Sequence, residues 1–585
     1  MKILLVAINA KYIHSNLAIY NLKAYAEQYG KNRSACIELA EYTINQQTDE
    51  ILKDIYQRRP EMLAFSCYIW NVEYVRDVMR EIHKLLPDMP IWLGGPEVSY
   101  CAEQMIAESP EITGVMMGEG EGTFAELVEY YEMSEAAKAE GAEDQTCCLQ
   151  NISGLAYRTN SGAVVKNAPR PILDLSTVPF VYDEIEAFQN KIIYYESSRG
   201  CPFSCSYCLS SIDKKLRFRD TELVKLEIGK FLKHKVKQVK FVDRTFNCNH
   251  KHSMEIWNYI KEHDNGTTNF HFEIAADIIT EEEIALISDM RKGLIQLEIG
   301  VQSTYLETIH EIKRIMDFGQ VAKVVQKIQA NENIHQHLDL IAGLPYETYG
   351  IFKQSFDDVY ALHPEQLQLG FLKVLKGSYM HIQKDQYGLV YQSKPPYEVL
   401  CNNWLSYDEV LRLKGIEDIV EVYYNSGQFA TTMILLEREF SSAFEMYEKI
   451  SSFYDFKGYR TGKHTRIARY EIMYEFIQSI GTNNMEEYYD ALMRDLYLRE
   501  NTKTRPGFAK EYSVDKNLVR KFFEQEEKTR EILKGYEAFD KRQMSKMMHV
   551  ELLQGCHILF DYKNRNPLTN EASTFSIEAI QNVKE

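Results

Sequence analysis

Three cysteines fall within eight positions of "RGCPFSCSYC", residues 199–208. Cys201, Cys205 and Cys208 follow the spacing C-x3-C-x2-C. Three thiolates can hold three irons of a 4Fe-4S cluster and leave the fourth iron open to an external ligand. A structural zinc site is normally closed by a fourth Cys or His at short spacing. No such residue lies nearby: Cys248 stands apart in "NCNHKH", and Cys147 and Cys148 sit in a polar stretch. Incidental buried cysteines, or a zinc knuckle completed from afar, are the alternatives; the clustering favours the cluster.

The elements that must position these thiols show as changes of pattern along the chain. Directly before them "KIIYYESS" reads as a strand. It opens a series of strands continued by "QVKFVDRTF", "NFHFEIAAD", "GLIQLEIGVQS", "IHQHLDLIAGLP" and "QLQLGFLKVL", with helical stretches between. Six strand-plus-helix units predict a partial (β/α)6 TIM-type barrel with its site at the carboxyl ends of the strands. Earlier, "KILLVAI", "EMLAFSCYI" and "PIWLGG" alternate with amphipathic stretches, the pattern of a Rossmann-like doubly wound parallel sheet. Ligands in such sheets sit at the carboxyl ends, marked here by Ser66, by Gly94 and Gly95, and by "GEGEG" at 118–122.

Between these regions a polar, Ala- and Glu-rich stretch at 132–145 breaks the rhythm. "GLAYRTNSGAVVKN" predicts a hairpin turning at Asn160-Ser161-Gly162, and "APRPILDLSTVPF" an extended linker. Beyond about 395, Tyr, Phe, Lys and Glu recur at helical spacing. The fold class is therefore α/β multidomain: 1–135 the doubly wound domain, 136–188 hairpin and linker, 189–385 the partial barrel, and 390–585 a mostly helical C-terminal domain.

Length and composition bound the rest. The 585 residues exceed one core, and no apolar run reaches the length of a membrane span, so a cytoplasmic protein is expected. Eleven cysteines, an odd number, argue against a disulfide framework. A net charge of −18 disfavours broad binding to a phosphate backbone. "GYRTGKHTRIARY" at 458–470 mixes basic and aromatic residues; a solvated helix face is preferred there to an RNA-docking surface.

The cysteine motif, with Tyr207 before its last Cys and a barrel-like strand series behind it, resembles the radical SAM superfamily. The resemblance implies that the open iron binds S-adenosylmethionine (SAM), and that one electron cleaves it to methionine and a 5′-deoxyadenosyl radical. It further implies SAM contacts at Asp243 in "FVDRTFN", at Glu273, and at Glu298, Gln302 and Ser303. Strand-end capping is the alternative for Asp243, and structural carboxylates for Glu273 and Glu298. Gly343 and Pro345 would shape an adenine-side loop.

A parallel α/β domain ahead of such a barrel resembles the cobalamin-binding branch of the superfamily. "SCY" at 66–68 precedes "GGPE" at 94–97 by 25 residues, matching that branch's Ser and Gly-Gly spacing. Ser66, Gly94 and Gly95, with Glu119 and Gly120 of the later turn, would face cobalamin. The D-x-H-x-x-G element is absent, so no histidine ligand to cobalt is expected. His14 reads as a satisfied loop histidine in preference to a cofactor contact, and Tyr68 and Trp70 as cover for one corrin face or as core.

The resemblance thus implies a cobalamin-dependent radical SAM enzyme with a 4Fe-4S cluster, SAM and cobalamin. Methyl transfer to an unactivated carbon of a small-molecule or biosynthetic-intermediate substrate is the main expectation. A flavodoxin- or ferredoxin-like reductant would supply electrons. The alternatives are a radical cyclisation, rearrangement or reduction without methyl transfer, and a non-enzymatic iron-sulfur sensor.

Overall fold

The computed structural model describes residues 1–31, 34–140 and 148–578; Cys147 lies outside them. The chain divides into two compact units. The first comprises Met1–Asn331, Gly343–Glu347 and Phe371–Ser406; the second comprises Glu332–Ala342, Thr348–Gly370 and Tyr407–Glu585.

In the first unit, β1 (Lys2–Asn9), β2 (Cys36–Thr43), β3 (Met62–Ser66), β4 (Ile91–Gly94) and β5 (Gly114–Met116) pair in parallel. The sheet order is β2-β1-β3-β4-β5, extended antiparallel by β6 (Leu155–Arg158) and β7 (Val164–Lys166). Along β1 alternate residues enter separate cores: Leu4, Val6 and Ile8 pack on one face of the sheet, Ile3, Leu5 and Ala7 on the other. Burying a Leu, Ile or Val side chain contributes roughly 1.5–3 kcal/mol, so a strand apolar at every position is stable only with both faces covered.

The hairpin β6–β7 turns at Gly162, whose φ is +85°, with Ala163 O accepting from Thr159 N at 2.8 Å. Helix Glu121–Glu140 continues through the first half of the polar stretch that was expected to break the pattern. Ala, Glu and Lys are strong helix formers, so the loss of apolar rhythm there does not end the helix.

The strand expected at "KIIYYESS" divides into β8 (Ile193–Tyr195) and the short β9 (Ser198–Arg199). The latter pairs antiparallel with β10 (Arg217–Phe218). Next come β11 (Gln238–Phe241), β12 (Asn269–Ile274) and β13 (Ile295–Gln302), in parallel register β8-β11-β12-β13. Helices Thr221–Lys233, His250–Glu262 and Glu281–Ser288 intervene. The last is started by a capping box between Thr280 and Glu283.

The second unit carries the next two strands of the series, β14 (His335–Ala342) and β15 (Gln366–Phe371), with helix Tyr349–Tyr360 between them. All six strands of the expected series are thus present in chain order. Its later part is mostly helical, as expected, but ends in an antiparallel sheet of Met548–Leu553, Cys556–Arg565 and Ala572–Ser576. Gln554 and Gly555 both adopt positive φ, at +50° and +76°, the signature of a tight hairpin turn. In the basic-aromatic stretch, Arg460 pairs with Asp418 and Asp455 and Arg466 with Glu500, so these guanidiniums are neutralised within the unit.

Candidate active site

The three cysteines lie on the excursion between β9 and β10, a loop closed at its base by the two-residue ladder. Gly200 begins it at φ +94°, and a Cβ there would stand 2.6 Å from Lys215 O. Only glycine fits such a closed, left-handed start. Cys201 N donates to Asp213 O at 3.1 Å and Cys208 N to Cys205 O at 3.2 Å. Cys201 and Cys205 are buried and Cys208 half-buried; all described cysteines are free thiols. Burial pushes the Cys201 thiol up, and the nearby Cys208 and Cys205 push it in the same direction. Three free thiols crowded on one loop are a donor set that fits a cluster with one open iron.

Asp243 follows β11 and is fully buried. Its oxygens accept from Ser197 N at 3.0 Å, Ser197 Oγ at 2.7 Å and Ser198 Oγ at 2.6 Å. The carboxylate therefore anchors the strand that leads into the cysteine loop. Burial raises its pKa to about 6 against the pull of the serine donors. Ser197 Oγ also meets His252 Nε2 at 2.9 Å; since the hydroxyl donates to Asp243, the imidazole donates to it. Burial lowers the pKa of His252 to about 4 and keeps it neutral.

The "GEGEG" turn, expected at cobalamin, reaches the same loop. Glu119 accepts from Arg199 Nη1 at 2.8 Å, from Arg217 Nη2 at 2.7 Å and from Leu173 N at 3.0 Å. Glu121 and Glu196 complete the cage around Arg199, at 2.8 and 2.7 Å. Burial works against charge on both sides, yet the ion pairs prevail: Glu119 is held below the usual carboxylate range and Arg199 well above the usual guanidinium value. Gly120 lies against Leu22, with 2.9 Å left for a Cβ.

Glu298 on β13 accepts from His271 Nε2 at 2.9 Å and Lys240 Nζ at 3.0 Å. Burial opposes its charge, but His271 and Lys240 overcome that and hold its pKa at about 2. Glu273 pairs in register with Glu298 on β12. Gln302 ends β13 at φ +73°, with Oε1 buried and without a partner. Ser303, fully buried, donates to Glu347 Oε1 at 2.5 Å. Gly343, at φ +90°, accepts through its carbonyl from Asn402 Nδ2 at 2.8 Å.

At the carboxyl ends of the doubly wound sheet, Ser66 Oγ accepts from Asn16 Nδ2 at 3.2 Å. Gly95 has φ +111°, and a Cβ would lie 2.4 Å from Cys67 O; Gly94 would meet only Met116 Cε at 3.6 Å. Gly118, after β5, has no neighbour within 4 Å of where a Cβ would stand. Trp70 is 43% exposed and stacked on Tyr68 at 4.4 Å and 8°. The open side of Gly118 and the exposed Tyr68–Trp70 stack, both just past strand ends of this sheet, fit a large flat cofactor. His14 bonds to Tyr194 OH at 2.6 Å, a satisfied loop histidine.

Two groups of positioning residues escaped sequence reasoning. Arg199 and Ser197-Ser198 stand beside the motif in "ESSRGC" and could have been found as the motif's own flank. The segment 371–406 could not. Met380 N donates to Ser206 O at 2.8 Å, Lys376 Nζ lies 4.0 Å from Glu97, and Tyr397 OH bonds to Glu97. It thereby straps the cysteine loop to the "GGPE" turn.

The matches to known proteins divide at these same elements. Residues 3–128 match the family model described as B12 binding domain, and residues 195–359 that of the Radical SAM superfamily. Two regions of the chain are thus similar to two families whose joint occurrence marks cobalamin-dependent radical SAM proteins. Residues 385–572 match the family model described as protein of unknown function, DUF4080. The two named domains imply a 4Fe-4S cluster, SAM and cobalamin as cofactors.

Among relatives, the cobalamin-dependent radical SAM methyltransferase TokK of Streptomyces tokunonensis is 26% identical over 56% of this chain and 50% of its own length. The anaerobic magnesium-protoporphyrin IX monomethyl ester cyclase of Rubrivivax gelatinosus is 24% identical over 53% of this chain and 55% of its own. The chain thus spans about half the length of these relatives. The solved structure of the radical SAM methyltransferase TsrM from Kitasatospora setae, with cobalamin and a 4Fe-4S cluster bound, shares the fold. Its TM-score is 0.54 at 18% identity, over 67% of this chain and 76% of that one. No helix among the described residues is long and apolar enough to cross a membrane.

Proposed function

We propose that this protein is a cobalamin-dependent radical SAM enzyme that transfers a methyl group to an unactivated carbon of a small molecule. The observation that carries the reading is one loop with three free thiols, Cys201, Cys205 and Cys208, tied through Arg199 to the glycine-rich turn of a B12-binding domain. When bound, the cluster, SAM and cobalamin supply reductive cleavage of a sulfonium and a transferable methyl group. The chain's own residues position these groups. The thiols offer three ligands, Asp243 and His252 fix the approach to the loop through Ser197, and the Glu119–Glu121–Glu196 cage holds Arg199 two residues before Cys201. Gln302, with its unpartnered buried oxygen, and Glu273 are the SAM-facing groups; Ser66, Gly94 and Gly95 lie on the cobalamin side. TokK and TsrM, both methyltransferases by name, support this reading.

The test is anaerobic reconstitution with iron, sulfide and hydroxocobalamin, followed by product analysis with SAM and a reductant. A cluster absorption band with one retained cobalamin, and S-adenosylhomocysteine formed together with 5′-deoxyadenosine, is the expected result. Deoxyadenosine alone would select radical chemistry without methyl transfer, the reading favoured by the cyclase relatives. Cys201→Ala, Cys205→Ala and Cys208→Ala should each abolish SAM cleavage; retained cleavage in all three would overturn the assignment.

A further inference from the structure

The outer side of the cysteine loop has no role in the site described so far. Ser204 and Ser206 flank Cys205. Ser204 Oγ accepts from Lys214 Nζ at 2.8 Å. Ser206 N donates to Ile312 O, and Ser206 O accepts from Met380 N, both at 2.8 Å. The residues next to these two anchors, Lys313 and Tyr379, meet beside the loop, with Lys313 Nζ 3.3 Å above the centre of the Tyr379 ring. From Tyr379 or Lys313, one main-chain hydrogen bond leads to Ser206, the covalent neighbour of Cys205. That is a short bonded route from solvent to a ligating sulfur.

What this side exposes is cationic and apolar. Lys214, Lys215 and Lys313 are exposed, and among the described residues no carboxylate pairs with them. Two nearby acids are already engaged, Asp213 by Arg217 at 2.8 Å and Glu311 by Tyr387 OH at 2.5 Å. On helix Tyr379–Ile382, burial together with Lys384 and Lys376 lowers the pKa of His381, so both lysines add to the positive field. Ile212 is 45% exposed, Tyr379 37% and Ile382 68%. Single exposed apolar side chains are ordinary, but these three accompany unpaired cations around one loop. The chain as a whole carries −18 and repels an acidic protein. A local cationic face reverses that repulsion where it matters, because complementary charge governs the rate of encounter. Electron-transfer partners need only small interfaces.

We propose that the face formed by Lys214, Lys215, Lys313, Tyr379, Ile212 and Ile382 docks an acidic protein with an exposed flavin, which reduces the cluster through Ser206. The reduced flavin loses one electron and the oxidised cluster gains it; no atom is transferred. A flavin suits this face better than a second iron-sulfur carrier, because its dimethylbenzene edge is apolar and can rest on Tyr379 and Ile382. The proposal rests on the radical SAM reading above. It is tested by anaerobic stopped-flow reduction of the reconstituted full-length protein. Reduced flavodoxin is the docking donor, and reduced methyl viologen, a small cation, is the donor that needs no surface. Lys313→Glu and Lys214→Glu should each load iron like the wild type and lower the second-order rate with flavodoxin about tenfold at low salt. The difference should vanish towards about 0.5 M salt, and the rate with viologen should not fall. An unchanged flavodoxin rate in both variants overturns the proposal. An equal fall with both donors also overturns it, by assigning the lysines to the cluster's surroundings. A fall with reduced ferredoxin alone overturns it too, by placing an iron-sulfur carrier on this face. If either variant fails to load iron, Lys215→Glu, whose side chain makes no bond among the described residues, decides by the same rates. A wild type that viologen reduces but that leaves SAM uncleaved would count against the radical SAM reading and not against the docking face.

Discussion

Arg199, two residues before the first cysteine of the cluster motif, donates at 2.8 Å to Glu121, the first residue of the helix that follows the glycine-rich turn of the B12-binding domain. Glu196 shares the same half-buried guanidinium, as does Glu119, which is also held by Arg217, so Glu121 and Glu196 rest on this one cation. Removing one partner of a buried ion pair costs about 3–5 kcal/mol because the opposite charge stays uncompensated. Arg199→Met is therefore expected to lower unfolding free energy by about 3 kcal/mol or more in chemical denaturation. A loss below about 1 kcal/mol would show the cage to behave as a solvated surface pair.

The Asp243–Ser197–His252 chain predicts a specific pH response. His252 has its pKa lowered from 6.5 to about 4, so its contribution is present above pH 6.5 and is lost as pH falls towards 4. Asp243 has its pKa raised from 3.8 to about 6, so its contribution is present below pH 3.8 and is lost as pH rises through 6. Between pH 4 and 6 the two slopes oppose. Asp243→Asn should uncover a fall in stability on acidification of about 1.4 kcal/mol per pH unit at most, whereas His252→Gln should become more stable over the same interval. Denaturation midpoints measured at half-unit steps would show this, and parallel profiles for the two variants would refute it.

The two adjacent glycines of "GGPE" separate strain from ligand approach. Gly95→Ala must hold φ +111° against Cys67 O, whereas Gly94→Ala meets only Met116 at ordinary contact distance. The first should cost about 1–3 kcal/mol in stability. The second should leave the melting temperature close to wild type but weaken cobalamin retention. Gel filtration with bound-cobalamin absorbance distinguishes the two; equal retention in Gly94→Ala would remove Gly94 from the cofactor face.

At the base of the cysteine loop, Gly200→Ala would press a methyl group against Lys215 O at φ +94°. The loop cannot then close on its β9–β10 ladder, and reconstituted iron should fall well below the wild-type content while the far-ultraviolet circular dichroism is retained. Full iron loading would show that the loop adapts.

Much of the fold was legible because it depends on local periodicity. β1 is apolar at successive positions, and it is buried on both faces. The thiol spacing was legible because ligands close together in sequence need no long-range folding to meet. What was not legible divides into two kinds. The hairpin turn at Gln554-Gly555 has a tight-turn signal that the surrounding helical composition obscured. Helix Glu121–Glu140 ran past its expected end because Ala and Glu sustain a helix without an apolar face.

Sequence alone determined the class of chemistry: C-x3-C-x2-C after a strand, behind a parallel α/β domain, with no fourth ligand nearby. The tertiary structure decided which charged groups serve that chemistry from a distance. Glu119 and Glu298 were expected at cofactors, yet Glu119 is engaged by Arg199 and Arg217, and Glu298 by Lys240 and His271. Arg314 reaches Cys205 across 109 residues of chain. An ion pair or a sulfur contact is fixed by where side chains end in space, and residues so far apart in sequence carry no mutual signal until the strands between them are packed.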